Sequence, residues 1–193
     1  MQGTSAEMPM IRASQWSNRL RWIEKSGHMN AVRAHLGPQE YALLDSPPLV
    51  SSWISFERTQ ALDCAIERVG GLSLVRTAGV ETVRIGLPVF APLIDGFVRL
   101  FGLSPETFFT RMQSFATVAT KGIFYAYEKT GPRSGVMKMS LPAARRVEYA
   151  FFVSGAGSMS TTFETCATPN GTISDPEWID PAVPNAVLFR IRW

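Results

Sequence analysis

The last eight residues, AVLFRIRW, restrict the fold more than any other stretch. Val187, Phe189, Ile191 and Trp193 fall on one face of an extended segment, and Arg190 and Arg192 fall on the other. A period of two marks a strand with one buried face. The pattern predicts a strand running to the terminus and a fold complete there, with no C-terminal recruiting tail. Such a strand needs partner strands and a second layer to cover its apolar face.

The signals upstream supply both. Ser14 is placed to cap a helix with Trp16, Leu20 and Ile23 at helical spacing. Short helices follow over Met29, Val32 and Leu36 and over Gln39 to Leu44, ending at Pro47-Pro48. Ser55 caps a stronger helix with Thr59, Leu62, Ile66 and Val69 on one face, closed by Gly70-Gly71. Helical character continues from Leu72 to Phe101. Ser104, Pro105 and Glu106 form the clearest helix start, leading a stripe of Phe108, Met112, Phe115 and Ala119. After Gly122 the texture changes to a hairpin of GIFYAYE and VMKMSL. Residues 143–165 suit either a strand or a helix, and a strand broken at Pro176 precedes the last one. The reading is α+β: a helical N-terminal half packed on a small antiparallel sheet from the C-terminal half. Residues 1–13 are expected as a flexible tail and 14–193 as a single domain.

Composition narrows the function classes. Hydrophobic residues make up 46% of the 193 and charged residues 18%, so the chain folds and keeps apolar surface for a partner or a cavity. The net charge is +3 and the basic pairs Arg19/Arg21 and Arg145/Arg146 are isolated, which reads as solvated faces with no nucleic-acid stripe. Cys64 and Cys166 form no disulfide framework, and the N-terminus lacks a signal peptide, so a cytoplasmic location is expected. Val83 to Phe101 has the length of a membrane span, but Arg84, Asp95 and Arg99 argue for a buried core segment and no transmembrane helix.

The segments WSNRLRWIEKSG, LGPQEYALLDSPPLVSSWISFE, the long helical middle and LFRIRW carry a resemblance. Their order is similar to a myxobacterial family of unassigned function, related to the 4-vinyl-reductase-type domain, the TRAPP subunits and the haem nitric-oxide sensors. The resemblance implies helices beside a small antiparallel sheet, with an apolar cavity between the layers for an aromatic effector, an acyl chain or a haem. Residue by residue, little of that chemistry carries over. Metal-binding relatives place cysteines near the last two strands, where this chain reads EWIDPAVPNAVLF. Haem sensors need a histidine on a central helix, and residues 72–120 hold none. An acyl-bearing helix cysteine would correspond to Cys64 only if the positions match.

Other chemistry is thin. His28 and His35 are seven apart and read as surface histidines. The cysteines read as packing residues, and Asp63/Glu67 and Asp175/Glu177/Asp180 as ordinary carboxylate groupings. No catalytic, phosphate-loop or metal signature is present. No catalytic residue, metal or cofactor is therefore expected.

What remains is aromatic. Phe97, Phe101, Phe108, Met112 and Phe115 on neighbouring helices are expected to face Tyr125, Tyr127 and Phe151 from the strand half, either as plain core or as the wall of a ligand cavity with the tyrosines as polar tips. The leading expectation is a non-enzymatic ligand-binding or regulatory domain, a symmetric dimer holding a small apolar molecule. The alternative is an assembly subunit without ligand, contacting a protein partner through exposed Trp16, Trp22, Trp53 or Trp178. An enzyme would need a buried carboxylate or histidine with a strongly shifted pKa in a cleft.

Overall fold

The computed structural model describes residues 8–102, 104–142 and 146–193, apart from the side chains of 89–95 and 97–101. In chain order the elements are β1 (Met10–Arg12), α1 (Ala13–Lys25), α2 (Met29–Arg33), α3 (Pro38–Asp45), β2 (Trp53–Ser55), α4 (Phe56–Phe101), α5 (Pro105–Thr110), α6 (Met112–Ala116), β3 (Thr120–Lys121), β4 (Phe124–Gly131), β5 (Ser134–Ser140), α7 (Tyr149–Thr165), β6 (Thr172–Ile173), β7 (Glu177–Trp178) and β8 (Ala186–Arg192). Helices fill the N-terminal half and an antiparallel sheet the C-terminal half, the α+β arrangement that the segregated patterns require.

The terminal strand is the centre of the main sheet. β8 pairs with β5 on one side and with β6 and β7 on the other, and β4 completes the hairpin with β5. β6 and β7 act as one strand interrupted near Pro176, which has no N–H to give to the ladder. Met137 lies opposite Phe189 and Met139 opposite Val187, and all four are buried, as is Ile191. Arg190 and Arg192 face water. α7 lies over this apolar face: a Cβ added at Gly155 would sit 3.2 Å from the Met139 sulfur.

The ambiguous stretch before β6 is a helix, and its glycines explain how it packs. α7 against α4 is the most extensive helix contact in the fold. A Cβ on Gly157 would collide with the Arg76 carbonyl oxygen, and one on Gly79 with the Ser154 carbonyl oxygen. Only hydrogens fit between these backbones, so the glycines weaken propensity while permitting close approach.

Several local expectations are corrected. Ser14 lies inside α1, which starts at Ala13 after an extended Arg12. Gly70 and Gly71 do leave helical geometry, Gly71 with φ of 69°, but the chain resumes as a helix at once, making a sharp break inside α4. The Phe108–Ala119 stripe is split at Arg111 into α5 and α6, after the Ser104 cap that accepts from the Thr107 N–H at 3.1 Å. Residues 10–13, assigned to the tail, are paired or helical: β1 forms a second sheet with β2 and β3, in the order β2-β1-β3. Residues 1–7 lie outside the described residues.

Candidate functional site

Where α4, α5, α6 and α7 meet the first two strands of the main sheet, packing leaves a cavity of about 260 Å³. Two rings from the short helices, Phe108 and Phe115, stack at 5.2 Å between centroids and form part of its wall. Met112, Met139, Phe151 and Met159 extend the apolar lining. Phe151 is held edge-on to Phe56 at 4.7 Å, which fixes its ring. Thioethers and phenyl rings make a soft wall suited to varied apolar shapes.

The wall also has a polar side that the sequence reading misses. Arg19 lines the cavity although only 6% exposed. Its Nε donates to Thr82 Oγ1 at 3.2 Å, its Nη2 to Ser154 Oγ at 2.7 Å, and its Nη1 to Asp63 Oδ1. One guanidinium thus ties α1 to both halves of α4 and to α7. Asp63 is wholly buried, does not line the cavity, and has no partner at Oδ2. Burial pushes its carboxyl up to about 7, against the opposing pull of Arg19. Thr59, one helical turn before Asp63, lines the cavity with its buried hydroxyl unpartnered. The assignment of Arg19 to a solvated basic pair is therefore corrected. A signal was available, since Arg19 lies three residues after Trp16 and four before Ile23, on the buried stripe of α1.

Of the residues singled out from sequence, Phe108, Met112, Phe115, Tyr125 and Phe151 are brought together on the cavity. Tyr127 is not: its ring stacks on Phe109 at 6.0 Å, in a separate cluster with Phe163 and Trp193, and its hydroxyl is buried without a partner. The side chains of Phe97 and Phe101 lie outside the described residues. Tyr125 is half-buried; its hydroxyl makes no hydrogen bond among the described residues, and burial raises its pKa. Its backbone N–H is held by Gln113 Oε1 at 2.7 Å, linking β4 to α6.

The tryptophans expected to be exposed are not. Trp16 and Trp22 are buried, and Trp53 and Trp178 are half-buried, Trp53 beneath the Arg12 guanidinium at 3.8 Å. Cys64 is half-buried and its thiol is pushed up to about 11, first by burial and then by Glu148, Asp63 and Glu67. Cys166 is buried and likewise pushed up to about 11. Neither is an activated nucleophile. Among the described residues no group of three or more His, Cys, Asp or Glu could hold a metal ion, and no helix is long and apolar enough to cross a membrane.

No family model and no curated protein matches the chain. Solved structures do. An Fe(II) unliganded H-NOX protein from K. algicida aligns over 94% of this chain and 96% of its own, with a TM-score of 0.65 at 13% identity. An H-NOX protein from S. oneidensis in the Fe(II)NO ligation state aligns over 94% and 98%, with a TM-score of 0.66 at 6% identity. An oxygen-binding H-NOX domain related to soluble guanylate cyclases aligns over 94% of both chains, with a TM-score of 0.62 at 8% identity. The chain therefore shares the fold of these H-NOX structures.

Haem distortion has been probed in the H-NOX family, so the donor set here must be tested against a haem. Among the described residues no histidine or cysteine lines the cavity. His28 precedes α2 with its ring tilted against Trp22, and His35 is exposed beyond the end of α2. The remaining donors are the thioethers of Met112, Met139 and Met159 and the phenol of Tyr125. Tyrosine ligation needs the phenolate, which the burial of Tyr125 disfavours, and methionine ligates haem as a second ligand beside histidine. The cavity volume also lies below the roughly 300–1,000 Å³ of ordinary ligand pockets. These residues do not fit a haem.

Proposed function

We propose that the protein is a non-enzymatic sensory domain that uses the H-NOX architecture without haem and holds a small apolar molecule. The observation that carries this reading is the cavity of about 260 Å³ between helices and sheet, walled by Phe108, Met112, Phe115, Met139 and Phe151. Its lining offers apolar contact and a few polar groups, the composition of a site that binds by shape and burial. Among the described residues Asp63 is the carboxylate with the burial and shift that acid–base work requires, but it binds Arg19 and does not line the cavity. Its place is structural.

Native mass spectrometry of gently purified protein tests the reading. A population heavier than the bare chain by one small organic molecule, released on denaturation, is the expected result. Bare chain alone, joined to a failure of added apolar probes such as 1-octanol to raise the melting temperature, would refute it. Added haemin should give no absorption band of a ligated iron.

A further inference from the structure

Resting on that reading, we infer that the occupant is an amphipathic carboxylate, its apolar body against Phe115 and Met139 and its head group on the side of the cavity formed by Gln15, Arg19 and Thr59. Three observations converge there. Arg19 carries five N–H donors and spends three of them on Thr82, Ser154 and Asp63, which leaves two for an occupant. Thr59 lines the cavity and has a buried hydroxyl with no partner, which a rotation of its side chain would offer to an occupant. Gln15, one helical turn before Arg19 on α1, also lines the cavity and adds an amide donor. Hydroxyls elsewhere on the wall, such as those of Thr120, Ser158 and Thr161, already donate to backbone carbonyls, and among the described lining residues Arg19 carries the positive charge, so an anionic head group is best met there.

A neutral polar head would also find donors here, but charge favours the anion. Asp63 meets Arg19 through a single oxygen and leaves the other unpartnered, so it compensates the guanidinium incompletely. A planar carboxylate accepts paired N–H donors from a guanidinium, and such charge-assisted bonds are about twice as strong as neutral ones. The volume of the cavity limits the body to a short chain or a single ring.

The test compares two probes with one body and different heads, octanoate and 1-octanol, by isothermal titration of the full chain. Octanoate should bind at least about ten-fold tighter than 1-octanol. In the double variant Arg19→Met/Asp63→Leu, which removes the buried pair together, the preference should fall to within about two-fold while 1-octanol still binds. Thr59→Val, a milder change of nearly equal shape, should weaken octanoate several-fold and weaken 1-octanol less. Equal binding of the two probes to the unmodified protein, or a preference that survives in the double variant, overturns the head-group assignment and leaves the apolar cavity standing. Failure of both probes to bind overturns the cavity reading itself.

Discussion

Replacing Asp63 by asparagine should abolish one site's loss of stability with rising pH. The carboxyl is raised from 3.8 to about 7, principally by burial. A folded group with a raised pKa keeps its proton where the unfolded chain has lost it, so its contribution is complete below about pH 4 and is lost as pH rises through 7. A rise of that size corresponds to on the order of 4 kcal/mol. The asparagine amide imitates the protonated carboxyl at every pH. The two proteins should be nearly equally stable near pH 4, and the variant should gain on the unmodified protein up to about pH 7, with a constant difference beyond. Urea unfolding across this range, read as the difference between the proteins, cancels the contributions of the other carboxylates. Parallel curves, or an unmodified protein that gains on the variant as pH rises, would show that Arg19 outweighs desolvation and that the argument from burial is wrong.

Further outcomes concern the helix contact, a thiol and an exposed ion pair. Gly157→Ala and Gly79→Ala each drive a methyl into a backbone carbonyl across the α4–α7 contact, and each should cost about 1–3 kcal/mol or more in chemical denaturation. Gly155→Ala, which meets only the flexible Met139 side chain, should cost less than either. Cys64 should be alkylated by iodoacetamide near neutral pH far more slowly than a free cysteine, since its thiol is pushed up to about 11; denaturant should abolish the difference. Lys129→Ala breaks an exposed pair with Glu106 at 2.8 Å and should change stability by less than about 1 kcal/mol, with the effect screened by salt.

The fold was legible where a period had room to repeat. β8 alternates from Val187 to Arg192, and the Ser104-Pro105-Glu106 start of α5 carries its own chemistry. The small sheet was invisible because strands of two or three residues, such as Met10–Arg12 and Thr120–Lys121, have no period to read. α7 was ambiguous because eleven of its residues are buried on nearly all sides, so neither a helical nor a strand face stands out. Its glycines look like helix breakers until α4 is placed against them.

The site divides the same way. Apolar positions on known elements, such as Phe108, Phe115 and Phe151, led to the cavity wall, whereas Tyr127 alternated correctly with Tyr125 yet packs further along the sheet. The polar side failed because charged residues are read as solvated by default. Arg19 and Asp63 each sit on an apolar helical stripe and carry opposite charges, which is how a buried pair is written in a sequence.

The account turns on an open, apolar space between the layers, and a crystal pressurised with xenon measures it directly. Xenon density bounded by Phe115, Met139 and Phe151 is the predicted result. A lattice of the same protein that takes up no xenon there, with those side chains closed on one another, would contradict it.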